Sequence, residues 1–336
     1  LARGLRDGLA ALTDPPPALA ALLTQTETRP AYATDELIDT YSRPFFTSPG
    51  AVHIVSLSAG SLVRAYESPS IARVLSTSGR LVEGAPRRIQ ETGRWLLQVM
   101  LPGSLRPGGA GYVATIQVRM LHAHMRKLAY DRGYDAARWG VPVNQVDLGR
   151  TWMDFTLTSY AAEEEFGFAL TTRETDSLYR YWWYIAHLLG LDNRLVEGIT
   201  GNEAAKRVDD LFQTVTGPVN EESAVLANAT LESTAGSLHE IMHVPQGLGR
   251  PVLNAIARRI HGTAMARDLR VDVQPAADAF LTPAVKALRA ARDHRRNNAD
   301  GWAADIEKNL ADTRAQVADT SPGQTAYERG ASKSHD

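Results

Sequence analysis

Apolar residues in this chain recur three and four positions apart, and nowhere do they alternate over a run closed by hairpin turn residues. Such a pattern buries its apolar face as helix against helix, so the sequence predicts an all-α fold. Proline and glycine mark the helix ends. Residues 1–30 read as two short helices broken by Pro15-Pro16-Pro17. Helices are predicted over 35–41 and 51–66, with Ser48-Pro49-Gly50 as the turn between them, and over 70–77 behind Pro69. Pro86 starts a helix that Pro102-Gly103 stops. A loop rich in glycine and proline then runs to Gly111, followed by a helix to about Tyr130 and a tight segment through Pro142. Asn144 to Asp147 is expected in a loop. Helices over 151–166 and 172–189 come next, the second with Thr172 as its N-cap. Further helical patterns cover 203–214, 220–243, 247–262, 276–293 and 298–316. No repeat period is visible, so residues 1–318 are expected to form a single large helical domain. From Asp319 to Asp336 the residues are small and polar, and a disordered tail is expected.

The composition removes several function classes. A formal net charge of −2 does not suit a nucleic-acid binder, whose surface carries a basic excess. Without cysteine there are no disulfides, thiolate zinc sites, iron–sulfur clusters or cysteine nucleophiles. No apolar run approaches the ~18 residues of a membrane-spanning helix. The first residue is Leu rather than Met, so the true start is expected ahead of it; a removed export signal could have preceded it, as in a secreted protein, and the sequence does not decide the compartment. A monomer is expected.

One helix carries a residue that does not match its face. Val118, Leu121, His122, Met125 and Ala129 fall on one stripe, so His122 points where a helix ordinarily points Leu. His124 falls off that stripe. A buried imidazole without a partner costs roughly 1–3 kcal/mol. Either a core hydrogen bond or a metal would meet the need, and periodicity does not choose between them. Upstream, Arg88 and Thr92 are four apart and share a helix face.

From Gly79 to Gly167 the chain carries, in order, Gly79-Arg80-Leu81, Arg88-xxx-Thr92, Pro102-Gly103, Pro107-Gly108-Gly109, Val118-Arg119-xx-His122-Ala123, Pro142-Val143-Asn144-Gln145 and Asp147. A fainter echo continues at Tyr181-Trp182 and His187-Leu188-Leu189-Gly190. These words resemble the latex-clearing protein (rubber oxygenase) family, which includes the fungal oxygenase of mycophenolate biosynthesis. The resemblance implies a globin-like central helix core enclosing haem b, with iron held by the histidine of the Arg-xx-His-Ala motif, here His122. It implies dioxygen and an apolar isoprenoid, such as polyisoprene or a terpenoid, as substrates, cleaved at a C=C bond to carbonyl products. Arg88 and Thr92 would lie close to the haem; Arg88, Arg119 and Arg126 are candidate propionate partners. Asp147 and Gln145 are candidates to anchor the second imidazole nitrogen. Some family members place a lysine just before the threonine. This chain has Glu91 there, a candidate base for an allylic proton. Glu67 and Glu83 are candidates for a further glutamate of the family.

Other chemistry has weaker support. His239-Glu240-Ile241-Met242-His243 matches the zincin pattern, in which two histidines one turn apart hold zinc and the glutamate activates water. The third ligand's context is missing, and Pro245 ends the helix at once. A di-iron site needs a second Glu-xx-His, and none occurs. No Gly-x-Ser-x-Gly elbow is present. A haem protein with peroxidase or monooxygenase activity on a smaller lipid is the second reading. The run Tyr179, Tyr181, Trp182, Trp183, Tyr184 reads as core, with a hydrocarbon cavity as the alternative.

Overall fold

The computed structural model describes residues 1–77, 84–242, 244–245 and 247–318, without the side chains of 240–242. The Gly79-Arg80-Leu81 motif, Glu83, His243 and residues 319–336 lie outside the described residues. Among the described residues every regular element is a helix, as the periodicity predicts. No single described helix is long and apolar enough to cross a membrane. The segments Asp35–Thr47 and Gly50–Ala65 meet the length and composition test only as a pair bent by 90°.

The centre of the fold is an antiparallel pair, Ala85–Met100 and Ala110–Asp131. Pro86 opens the first of these, where its missing N–H costs nothing. Gly111 sets how closely the second approaches. A Cβ there would stand 3.0 Å from the Gln98 carbonyl oxygen and the Val99 Cα. Trp95 then donates its indole N–H to Thr115 Oγ1 at 3.2 Å, which fixes the register of the pair. Seven residues back from Trp95 is Arg88, and seven on from Thr115 is His122. The antiparallel run therefore brings Arg88 and His122 to one level.

One element begins earlier than expected, and another keeps its expected bounds with a different cap. Asn144 caps a helix that starts at Gln145, because its side chain accepts from the Val146 and Asp147 amides while Asp147 accepts from the Asn144 amide. These reciprocal bonds form a capping box and turn the expected loop into the first turn of a helix. Likewise Thr171, and not Thr172, caps Thr172–Leu189, reciprocally with Glu174. That helix ends at Gly190, in the left-handed region with φ of 80°. The 247–262 pattern also continues beyond its expected end, as Gly249–Asp268, across a break at Gly262.

The helix Gly50–Ala65 divides the interior. Leu57 belongs to the core around the central pair, while Ala59 and Val63 belong to a second core with Leu226, Leu231, Leu253 and Ile256. It includes a π-helical stretch, Ser56–Leu62, packed on a second one, Asp154–Thr158. Such stretches leave backbone groups needing outside partners. His261 supplies one, donating from Nε2 to the Ala59 carbonyl at 2.8 Å while its Nδ1 meets Glu67 at 3.3 Å. His53 is held in the same way, by the Phe45 carbonyl at 3.0 Å and Glu163 at 2.8 Å.

Behind these stretches lies a buried ionic cluster. Arg64 reaches Glu67 at 3.0 Å, Asp209 at 2.6 Å and Asp154 at 3.5 Å. Asp154 is 1% exposed, and neither carboxylate oxygen accepts a hydrogen bond. Burial pushes its carboxyl up to about 7, against the pull of Arg64 and Arg150. The ordinary value in an unfolded chain is about 3.9. The folded chain thus keeps a proton that the unfolded chain has already released. Stability from this group is complete below pH ~4 and is lost as the pH rises through 7, a loss on the order of 4 kcal/mol at full ionisation. Asp154→Asn is therefore expected to raise the melting temperature at pH 8 and to flatten its dependence between pH 4 and 8, measured by thermal unfolding across that range. Equal slopes in both proteins would show that Asp154 ionises freely in the folded state.

Candidate functional site

The face that Arg88, Glu91, Thr92 and Trp95 make along Ala85–Met100 borders a cavity of about 980 Å³, near the upper end of the ~300–1,000 Å³ range of ligand pockets. Opposite stand Val118, Leu121, His122 and Met125 of the 110–131 helix. Leu62 and Tyr66, Ile71 and Val74, Thr151 and Phe155, and Trp182 and Leu189 supply the remaining, mostly apolar walls.

His122 makes no hydrogen bond among the described residues, and its Nδ1 is fully enclosed. Burial pushes the imidazole down to about 4, with the Arg126 cation adding to the effect. The ring is therefore neutral at ordinary pH, the form that ligates a metal. Thr92 likewise has no hydrogen-bond partner among the described residues and lines the same space. Glu91 accepts from Arg87 Nε at 2.5 Å, one helical turn away, at the cavity's edge.

The other candidates stand elsewhere. Arg119 leaves the cavity for a shallow polar depression, where it donates to Gln25 Oε1 at 2.5 Å and the Leu188 carbonyl at 3.3 Å. Its guanidinium lies against Gly190, where a Cβ would come within 2.8 Å. Arg126 donates to the carbonyls of Pro142 and Val143 at 3.1 and 2.7 Å. It thereby clamps Val143, which lines the cavity at φ of 53°, a backbone conformation that costs a β-branched residue on the order of 1–3 kcal/mol. Asp147 borders the cavity but accepts from Ser70 Oγ at 2.7 Å, and burial raises its carboxyl. Gln145 bonds to Gly190 and Asp192. Neither one is hydrogen-bonded to His122. Glu67 is spoken for by Arg64 and His261. His124, off the stripe, is exposed and lies at the cavity rim.

Exposed His239 donates from Nδ1 to the Val244 carbonyl at 2.9 Å. Among the described residues no group of three or more His, Asp or Glu is placed to hold a metal ion. The Glu240 side chain and His243 are outside them. Of the aromatic run, Trp182 reaches the cavity. The others are core: Tyr181 donates to the Val99 carbonyl at 2.6 Å and Trp183 to the Ile199 carbonyl at 3.0 Å. Trp95 was findable from spacing, since it lies three residues on from Thr92 and seven from Arg88 on the same face. Tyr66 and Ile71 were not, because nothing local in the sequence relates them to His122.

These residues fit haem. A neutral imidazole, without a partner among the described residues, borders a large apolar space, and a cation and a hydroxyl line the same space from the facing helix. Residues 45–292 match the family described as ER-bound oxygenase mpaB/B′/Rubber oxygenase, catalytic domain. Among solved structures, that of latex clearing protein LCP in the closed state is similar, with a TM-score of 0.69 at 18% identity, over 92% of this chain and 83% of that one. The likeness is one of fold. No curated protein matches the chain. If the enclosed Nδ1 is a cost carried for ligation, His122→Leu should stabilise the cofactor-free protein by about 1–2 kcal/mol while abolishing haem uptake. The check is thermal unfolding beside a haem titration; a destabilised variant would mean that the imidazole has a structural partner.

Proposed function

The chain belongs to the oxygenase family of mpaB and the rubber oxygenases, and we propose that it is a haem b-dependent dioxygenase that cleaves isoprenoid C=C bonds to carbonyl products. The observation that carries this reading is His122, neutral and without a hydrogen bond among the described residues, on the wall of an apolar cavity. Each alkene carbon receives one atom of dioxygen, and one C=C bond is replaced by two C=O bonds. No outside reductant is required.

His122 would hold the iron, and Arg88, on the cavity wall, is a cation suited to a propionate. When bound, haem supplies the metal that binds and activates dioxygen. The protein's own contribution is placement and exclusion of water. Thr92 presents a hydroxyl with no competing partner among the described residues, suited to donate to an oxygen atom in the cavity. Glu91, fixed by Arg87 at the cavity edge, can accept an allylic proton at its carboxylate and return it to the product, since the net cleavage releases none. The apolar walls hold the hydrocarbon by burial, worth about 25 cal/mol per Å² of apolar surface. Arg119 and Arg126 act at a distance from the cavity, by fixing the Gly190 turn and the Val143 segment.

The test begins with the visible spectrum. Purified protein should show a Soret band that His122→Ala loses, together with iron and no zinc by metal analysis. With an isoprenoid olefin under air, oxygen uptake and aldehyde formation should appear together, and Thr92→Val should slow both roughly 10²-fold with little change in stability. Haem binding with peroxide turnover and no aldehyde would favour the peroxidase or monooxygenase reading. A colourless, active protein would remove haem from the account.

A further inference from the structure

We propose that Arg119 anchors a second binding site, beside the cavity and distinct from it, which takes a small soluble oxyanion, a carboxylate or a phosphate, at the Gly190 turn. This site is independent of the oxygenase reading.

The site is the polar depression of about 500 Å³ bordered by Gln25, Arg119, Gln145, His187, Gly190 and Asp192, a volume within the ~300–1,000 Å³ range of ligand pockets. Arg119 is half-buried there and has no carboxylate partner among the described residues. Its Nη1 donates to two neutral oxygens, Gln25 Oε1 at 2.5 Å and the Leu188 carbonyl at 3.3 Å. Neither Nε nor Nη2 has an acceptor among the described residues. Those two N–H groups form the parallel fork with which a guanidinium holds a carboxylate or phosphate through two oxygens. Burial pulls the Arg119 guanidinium down, and no acid opposes the effect.

The glycine leaves that fork open. A Cβ at residue 190 would stand 2.8 Å from Arg119 Cζ and Nε and 3.1 Å from Nη2. Any side chain there would therefore press on the edge that an anion would grip. The neighbouring polar groups do not compete for it. Gln145 donates to the Gly190 carbonyl at 3.0 Å and accepts from the Asp192 amide at 2.7 Å. Asp192, the acid on the rim, is turned to Arg194, which reaches its two oxygens from Nε at 3.0 and 3.1 Å. The Gln25 amide nitrogen has no acceptor among the described residues and adds a further donor.

Other half-buried or buried arginines show how the fork is ordinarily filled. Arg64 faces Glu67, Asp154 and Asp209. Arg126 places Nε and Nη2 on the Pro142 and Val143 carbonyls. Arg292 donates from both terminal nitrogens to Thr47 and lies 5.0 Å from the rings of Phe168 and Trp302. Arg119 keeps its charge half-buried with the fork unfilled, and a desolvated cation is stabilised most by an anion. Leu189 and Leu191, on either side of Gly190, line the cavity. An anion held here thus braces the turn between two residues of the cavity wall.

The test is calorimetric titration of the full chain with inorganic phosphate, in about 150 mM chloride to screen loose surface pairing. One saturable site is expected, with a Kd on the order of 1 mM. Arg119→Gln should weaken it about tenfold or more, and Arg119→Lys, which keeps the charge without the fork, by less. Gln25→Glu gives Arg119 the acid that it lacks from within. That variant should melt at a higher temperature and yet lose phosphate binding, so the loss cannot come from unfolding. Acetate in place of phosphate separates the two oxyanions, and the tighter of them names the class. Haem-loaded and haem-free protein should bind alike. No saturable binding of either anion, or binding unchanged in Gln25→Glu, would overturn the site. So would binding abolished by haem loading, which would give Arg119 to a propionate. Phosphate binding in a protein that takes up no haem would leave this site standing and remove the oxygenase reading instead.

Discussion

Close approach of the 85–100 and 110–131 helices governs what the rest of the molecule can do. Gly111 lets one backbone lie on the other, and the Trp95–Thr115 hydrogen bond then locks their register. In an antiparallel pair, register at one end dictates what faces what further along. Here it sets Arg88 and Thr92 across the cavity from His122. A substituent at Gly111 would push the pair apart and shift that whole constellation, since packed interiors transmit a displacement instead of absorbing it. The same hydrogen bond orients Trp95 as part of the cavity's inner wall.

The wall on the other side is held from behind by charge. Leu62 and Tyr66 present apolar surface to the cavity, while Arg64 and Glu67, on the opposite side of the same segment, join Asp154 and Asp209. Buried ion pairs are weak sources of net stability, because desolvation cancels much of their attraction. Their geometry is nonetheless exacting, as every member needs partners in place. Two π-helical stretches meet there, and His261 satisfies a carbonyl of one of them. An apolar cavity backed by a directional polar network keeps its shape without placing polar groups inside it.

Much of this was readable in the chain itself. The helices, their proline starts, the Arg88–Thr92 face and the misplaced imidazole at 122 all follow from local spacing. The capping boxes at Asn144 and Thr171 were equally local and were passed over in favour of a loop and a neighbouring threonine. The arginines mark where local reading stops. Arg119 and Arg126 belong to the same motif region as His122, yet one turns to Gly190 and the other to Val143. Helix periodicity says which face a residue occupies, and only the neighbours packed on that face say what it meets.

Local sequence determined the secondary structure and the anomaly of His122, because hydrogen-bond periodicity and side-chain polarity act over a few residues. The cavity was decided by tertiary structure alone. Its walls come from segments between Leu62 and Leu191 that no short-range pattern relates. Their meeting depends on how whole helices pack, and that packing leaves His122 without a hydrogen-bond partner among the described residues.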